Sequence, residues 1–182
     1  MDIAINTQNL HPSTEACLEA MQWLHAQQAF SQILDMGCGN GILSVTAAAI
    51  WDAQVLAVDI APKAVQDTQA TIAEYALEGR VQALHSDGFY NPNVGKAAPY
   101  DLIMCNLLAD TLLSMAKTIQ KHLKADGFCI FSGILTWRAA EIEQAFTALG
   151  FEFIHHITRN PWECFVLRHR PATFEKPHVT KA

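Results

Sequence analysis

The chain has 182 residues, with 12 Lys and Arg against 18 Asp and Glu and a formal net charge of −6, which excludes a general nucleic-acid binder resting on a basic face. It is 51% hydrophobic and 16% charged, enough apolar material for one domain with a full core and too little charge for a disordered chain. It has no run of about 20 apolar residues, no basic start leading into an apolar stretch, and five scattered cysteines without a C-x-x-C pair; the expectation is a reduced, cytoplasmic protein with no membrane segment, disulfide framework or zinc site.

Residues 1–170 read as one domain and 171–182, polar with two prolines, as a loose tail. From Arg159 to Ala182 there are five Lys or Arg against two Glu, read as solvated surface. Pro12, Ser13 and Glu15 mark a helix start. Cys17, Leu18, Met21 and Leu24 continue at helical spacing, giving a helix over 13–27 at the edge of the fold, near the mouth of the site. Ile33 and Leu34 are apolar, Asp35 ends the run, and Gly37, Gly39 and Gly41 alternate with other residues before a second helical pattern, Ile42, Val45, Ala49 and Ile50. That order predicts a strand, a tight turn and a helix.

Gln54 to Val58 is a buried strand ending in Asp59, and Pro62 opens the next helix. Val81 to Leu84 is a third strand, followed by Asp87-Gly88. Residues 91–99, with two prolines and a glycine, read as a loop. Tyr100 to Cys105 is a fourth strand ending at Asn106, and Leu112, Leu113, Met115, Ala116, Ile119 and Leu123 give a helix face. Asp126-Gly127 turns into a fifth strand, Phe128 to Ser132. Residues 137–149 are helical and stop at Gly150. Phe151 to Ile157 and Trp162 to Leu167 form an antiparallel pair.

Strand alternating with helix implies an α/β fold: a Rossmann-like, seven-stranded mixed sheet, mostly parallel with an antiparallel last strand, and helices on both faces. Ligands in such sheets sit beyond the carboxyl ends of the strands. Asp35, Asp59, Asp87 and Asn106 all stand there.

Two cofactor classes use a glycine turn after the first strand. Dinucleotide binders want G-x-G-x-x-G; here the spacing is G-x-G-x-G, and a carboxylate just before the turn suits a cationic or amino-bearing ligand better than a pyrophosphate. The string from Asp35 to Gly41 resembles the first motif of S-adenosylmethionine-dependent methyltransferases with a Rossmann-like fold. That resemblance implies S-adenosyl-L-methionine as cofactor, held around Asp35, Gly37, Cys38, Gly39 and Gly41. Asp59, with Ile60 beside it, can accept the ribose hydroxyls; its alternative role is a cap for the Pro62 helix. Asp87 can accept the adenine amino group, with Gly88 letting the ring approach; the alternative is a turn-forming pair.

Asn106-Leu107-Leu108-Ala109 resembles the Asn-Ile-Leu-Ala of the PrmA-type ribosomal protein methyltransferases. His11-Pro12-Ser13-Thr14 is similar to that family's His-Pro-Thr-Thr, Ser132-Gly133-Ile134-Leu135 matches its Ser-Gly-Ile-Leu, and Trp162 precedes the last strand as a Trp does there. The resemblance runs from about Asn6 to Arg168. It implies that Thr14, Gly37, Asp59 and Asn106 contact the cofactor. It also implies N-methylation of a protein amine. Asn106 and the Leu107 carbonyl can accept that amine's hydrogens; the alternative role of Asn106 is a helix cap, compatible with substrate contact. The family's separate N-terminal recognition domain has no counterpart in these residues, and its Gly-Thr-Gly reads Thr7-Gln8-Asn9. A methyltransferase for a small molecule or RNA and a non-catalytic cofactor-binding subunit stay open beside this reading. An NAD-dependent oxidoreductase lacks its spacing and an evident proton-transfer residue.

Several other residues invite roles. His11 is read as bracing its loop. His155 and His156 point to opposite faces of a strand, so they are not a metal pair. Cys38 is read as a small turn residue and Cys105 as core. Phe89, Tyr90 and Trp137 could line a pocket, but core or loop packing is expected for each.

Overall fold

The computed structural model describes residues 5, 6 and 8–170; the segment read as a loose tail, 171–182, lies outside them. The elements run α1 (Pro12–His25), β1 (Gln32–Met36), α2 (Ile42–Trp51), β2 (Gln54–Asp59), α3 (Pro62–Glu74), β3 (Val81–His85), α4 (Pro92–Ala97), β4 (Tyr100–Asn106), α5 (Ala109–His122), β5 (Leu123–Leu135), a 3₁₀ turn (Thr136–Arg138), α6 (Ala139–Thr147), β6 (Phe151–Arg159) and β7 (Trp162–His169). One seven-stranded sheet has the order β3-β2-β1-β4-β5-β7-β6. The first five pair in parallel, and β7 runs antiparallel between β5 and β6. The strand order reverses between β1 and β4, so a crevice opens there beyond the carboxyl ends.

Alternation along the strands builds two cores, one on each face of the sheet. Ile33, Ala57, Leu102, Met104 and Ile130 face α1, α2 and the Ile72 side of α3. Leu34, Val58, Ile103, Cys105 and Phe131 face α4, α5 and α6. Being covered on both sides, β4 is apolar from Leu102 through Cys105 and fully buried there. Among the described residues no helix is long and apolar enough to cross a membrane.

The structure departs from the sequence reading in four places. α1 lies across a sheet face, not at the edge: Ala16, Cys17, Ala20, Met21 and Leu24 are fully buried. Trp23 stacks on His155 of β6 at 4.3 Å between ring centroids, and Glu19 pairs with Arg159. The loop expected over 91–99 contains the short helix α4. Asn91 caps it by accepting from the Asn93 N–H at 3.0 Å, Pro92 occupies the first turn, and Pro99 forbids continuation. The Asp126-Gly127 turn is an irregularity within β5, with Asp126 at φ +60 and Leu123 already paired to Tyr100. The helix expected over 137–149 begins as the 3₁₀ turn. His155 and His156 do part to opposite sides, His156 donating to the buried Glu163 at 2.6 Å.

Candidate active site

The turn after β1 is held from within. The N–H groups of Gly37 and Cys38 donate to the Val58 carbonyl at 2.8 and 3.0 Å, and Gly41 donates to the Cys38 carbonyl at 2.8 Å. Gly39 donates to Asp59 Oδ2 at 3.0 Å. A phosphate-gripping loop leaves such donors free for the ligand; these four all point inward. Gly37 has φ +80, and a Cβ there would lie 2.5 Å from Leu107 Cδ2. Only glycine lets β1 end directly against the segment after β4.

Asp59 ends β2 and bridges two elements. Its Oδ1 accepts from the Ala61 N–H at 2.9 Å, while Ala61 itself holds the cap position of α3. The carboxylate therefore supports the helix start without being its cap residue, and still faces the crevice.

Above these strand ends lies a cavity of about 680 Å3. Its floor is Met36 and Gly37, and one side is Asp59 with Ile60. A second side is the segment from Ser86 to Tyr90, and the third is one face of α5 from Thr111 to His122. Two carboxylates, Asp59 and Asp87, stand on the walls with no Lys or Arg among the lining residues. Such walls favour hydroxyl and amino donors or a cation over phosphate.

A second, shallower hollow of about 360 Å3 is lined by His11, Ser13 and Thr14 of the α1 start, by Asn106, Leu107 and Leu108, and by Gly133 and Trp162. The Asn106 amide donates to Thr14 Oγ1 at 3.2 Å, which fixes its Oδ1 as the outward acceptor. The Leu107 N–H donates to the Ser132 carbonyl at 3.0 Å, and Ser132 Oγ donates to the Ser13 carbonyl at 3.0 Å. His11 caps α1 through Ser13 and packs edge-on against Trp162 at 5.1 Å. Gly133 has φ +76, and a Cβ there would lie 2.8 Å from the Leu107 carbonyl oxygen and 3.0 Å from Asn106 Oδ1. Two acceptor oxygens thus converge beside Gly133. Leu107 lines both chambers.

Residues 7–170 match the family described as Ribosomal protein L11 methyltransferase (PrmA). The chain belongs to the PrmA family. Ribosomal protein L11 methyltransferases of Herpetosiphon aurantiacus and Mesorhizobium japonicum are 34% and 29% identical to it. Each alignment covers 87% of this chain, and 54% and 55% of the respective relative. The chain therefore spans about half the length of the curated relatives it matches. A crystal structure of a ribosomal protein L11 methylase from Lactobacillus delbrueckii subsp. bulgaricus superimposes with a TM-score of 0.76 at 25% identity, covering 89% of this chain and 80% of that one. The seven-stranded, Rossmann-like methyltransferase architecture is thus shared with a solved member.

In this PrmA-family chain the residues named from sequence divide three ways. Gly37, Asp59, Ile60, Asp87 and Gly88 line the cavity. Thr14 and Asn106 line the hollow, with Leu107 between. Asp35, Cys38, Gly39 and Gly41 line neither. Strand alternation explains Asp35: Met36 turns to the cavity side, so Asp35 turns the other way, beneath α2. It is 1% exposed and accepts from Ser44 Oγ at 2.5 Å. Its carboxyl is raised to about 6, mainly by burial, with the Ser44 hydroxyl pulling it down and the Asp59 charge pushing it up. The direct ligand contact expected of Asp35 gives way to a supporting place under the turn. Cys38 accepts from Thr68 Oγ1 at 3.2 Å; burial holds its thiol up at about 12, so it is inert packing.

Asn106 is not a helix cap, since Leu108 holds that position of α5. Phe89 packs on the core yet reaches the cavity wall. Tyr90 and Trp137 are 86% and 74% exposed, against the expectation of packing for both; Tyr90, like Phe89, instead lines the cavity. The cavity face of α5 was missed. Its signal is Thr111, Ser114, Thr118 and His122 at helical spacing, a polar stripe beside the apolar one.

Proposed function

We propose that this chain is an S-adenosylmethionine-dependent methyltransferase that N-methylates a ribosomal protein amine, with the L11 named in its relatives as the acceptor to test. The observation that carries the reading is the pair of chambers meeting at Leu107. One has carboxylates and inward-tied turn donors, which fit an adenosyl cation and not a pyrophosphate. The other presents two converging acceptor oxygens.

When bound, the cofactor supplies a methyl group already activated on a sulfonium. The chain's own residues bind and aim. Asp59 accepts ribose hydroxyls and Asp87 the adenine amino group, with Ile60 and Gly88 beside the ring. Gly39 and Gly41 shape the turn beneath, and Asp35 and Cys38 support it. Asn106 Oδ1 and the Leu107 carbonyl accept two hydrogens of a neutral amine and so fix the direction of its lone pair. Holding the nucleophile in line supplies much of the rate. A lysine drawn into the hollow loses its proton more readily as it leaves water. A cytoplasmic location goes with this reading.

The test is transfer of radiolabelled methyl from S-adenosylmethionine into purified ribosomal protein L11. Label in L11 that is lost when the protein is digested supports the reading. Label appearing only in RNA or a small molecule, or no transfer beside comparable binding of NAD, would sink it.

A further inference from the structure

Among the described residues, four large apolar side chains are well exposed: Ile60, Tyr90, Leu108 and Trp137, at 61%, 86%, 62% and 74%. All four follow carboxyl ends of parallel strands, and none decorates the opposite end of the sheet. Ile60 and Tyr90 belong to the cavity wall. Leu108 lines the hollow, and Trp137 comes two residues after Leu135, which pairs with the hollow's Trp162.

We infer that Leu108 and Trp137 form a docking lip that holds a lysine-bearing, cationic polypeptide segment against the hollow, an inference that rests on the methyl-transfer reading above. Three observations carry it. First, the lip is built rather than loose. Arg138 donates to Asp110 and to Glu141, each at 2.7 Å, which ties the α5 start to the 3₁₀ turn that carries Trp137. Its guanidinium lies 5.3 Å from the Trp137 ring centroid. The Thr136 N–H donates to the Pro161 carbonyl at 2.9 Å, seating that turn beside Trp162. A large side chain already held in place loses little freedom on binding, which is how exposed indoles become anchors.

Second, the hollow does not enclose. It is about half the volume of the cavity and open, whereas small-molecule sites bury most of their ligand. A polypeptide brings its own walls, and exposed apolar side chains gathered at one opening mark a protein contact.

Third, the charge around the lip selects the partner. Glu15 follows Thr14, Asp110 and Glu141 flank Arg138, and Glu19 flanks Arg159. Both guanidiniums are already paired, and carboxylates outnumber them. A phosphate backbone would meet net negative charge and no free cation among these residues. A lysine-bearing segment would meet its complement.

The experiment is calorimetric titration of purified ribosomal protein L11 into the full 182-residue chain saturated with S-adenosylhomocysteine, alongside methyl transfer. Trp137→Ala and Leu108→Ala should each weaken L11 binding by about fivefold or more. Affinity for S-adenosylhomocysteine and the melting temperature should hold, since both side chains lie in solvent, and Trp137→Phe should keep most of the binding. Equal binding by wild type and both variants, or no binding of L11 by the wild type, overturns the lip. Variants that lose affinity for tRNA instead of L11 overturn it too. L11 bound through the lip but never methylated overturns the methyl-transfer reading and leaves the lip standing. Methylated L11 with an unchanged KM in both variants does the reverse.

Discussion

The cavity and the hollow share a wall at Leu107 and are built on different principles. The cavity has its floor at the glycine turn and its three walls at two strand ends and a helix face, and its carboxylates stand on those walls. The hollow is an open junction of four segments, the α1 start, the β4 end, the β5 end and the β7 start. It is held together by hydrogen bonds from Asn106 to Thr14, from Leu107 to Ser132 and from Ser132 to Ser13. Under the proposed function, the difference divides the two tasks between the chambers. Affinity needs enclosure and charge, whereas aim needs a few oxygens fixed in direction. Substitutions in the two chambers should therefore move different observables.

The largest effect is expected from Asp59→Ala. Removing a charge-assisted acceptor should weaken S-adenosylmethionine binding by about 1.5–3 kcal/mol, read by calorimetry, with a smaller change in the melting temperature of the free protein. A large fall in melting temperature at unchanged affinity would mean that Asp59 mainly supports Gly39 and Ala61.

Asp35→Asn comes next and sharpens the contrast between neighbouring acids. Asp35 has its carboxyl raised to about 6 in the folded chain, against an unfolded value of about 3.9. The unfolded chain therefore gives up this proton first as pH rises, and stability falls between about pH 4 and pH 6. Asparagine stays neutral and still accepts from Ser44. The variant should match wild type near pH 4 and exceed it by roughly 3 kcal/mol above pH 7, while binding cofactor nearly as well. Parallel melting profiles from pH 4 to 8 would show that burial of this carboxyl carries no such cost.

Asn106→Ala should lower the methyl-transfer rate tenfold or more, roughly 1.4 kcal/mol, with cofactor affinity falling by less. If binding collapsed while the rate at saturating cofactor held, Asn106 would belong to the cavity's task and the aiming role would rest on the Leu107 carbonyl. The last effect is on stability. Gly133→Ala forces a left-handed conformation on an alanine, at a cost of about 1–2 kcal/mol, and the clash of its Cβ with the Leu107 carbonyl oxygen and Asn106 Oδ1 adds to that. Its melting temperature should fall by a few degrees and its transfer rate should fall with it. A rate unchanged at a lowered melting temperature would free the two oxygens from their proposed part.

Much of this was legible in the chain. Asp59, Asp87 and Asn106 announce themselves because apolar strands stop at them, and strand ends are where such sheets expose polar groups. The same alternation carried information that the motif obscured: Asp35 sits between Leu34 and Met36, so it had to face the other way from the cavity floor. Hydroxyls on α5 were hidden because attention falls on the apolar stripe that builds the core, and Thr111 to His122 form the stripe next to it. Exposure of Trp137 and Tyr90 was not readable at all. An aromatic residue has the same letter in a core and on a rim, and only the surrounding surface tells them apart. Short α4 was lost to its prolines, although Asn91-Pro92 is also how a helix begins.

Leu107 meets Gly37 with its side chain and Gly133 with its carbonyl, and this has an evolutionary reading. Positions 37 and 107, far apart in sequence, are coupled through that side chain, whereas the contact at 133 is with backbone and is indifferent to which residue stands at 107. A larger residue at 37 would need 107 to shrink first and would still carry the left-handed strain, and shrinking 107 opens the partition between the chambers. Substitution at 37 is thereby conditioned on 107. A double-mutant cycle on Gly37→Ala and Leu107→Ala would register that history as a non-additive term.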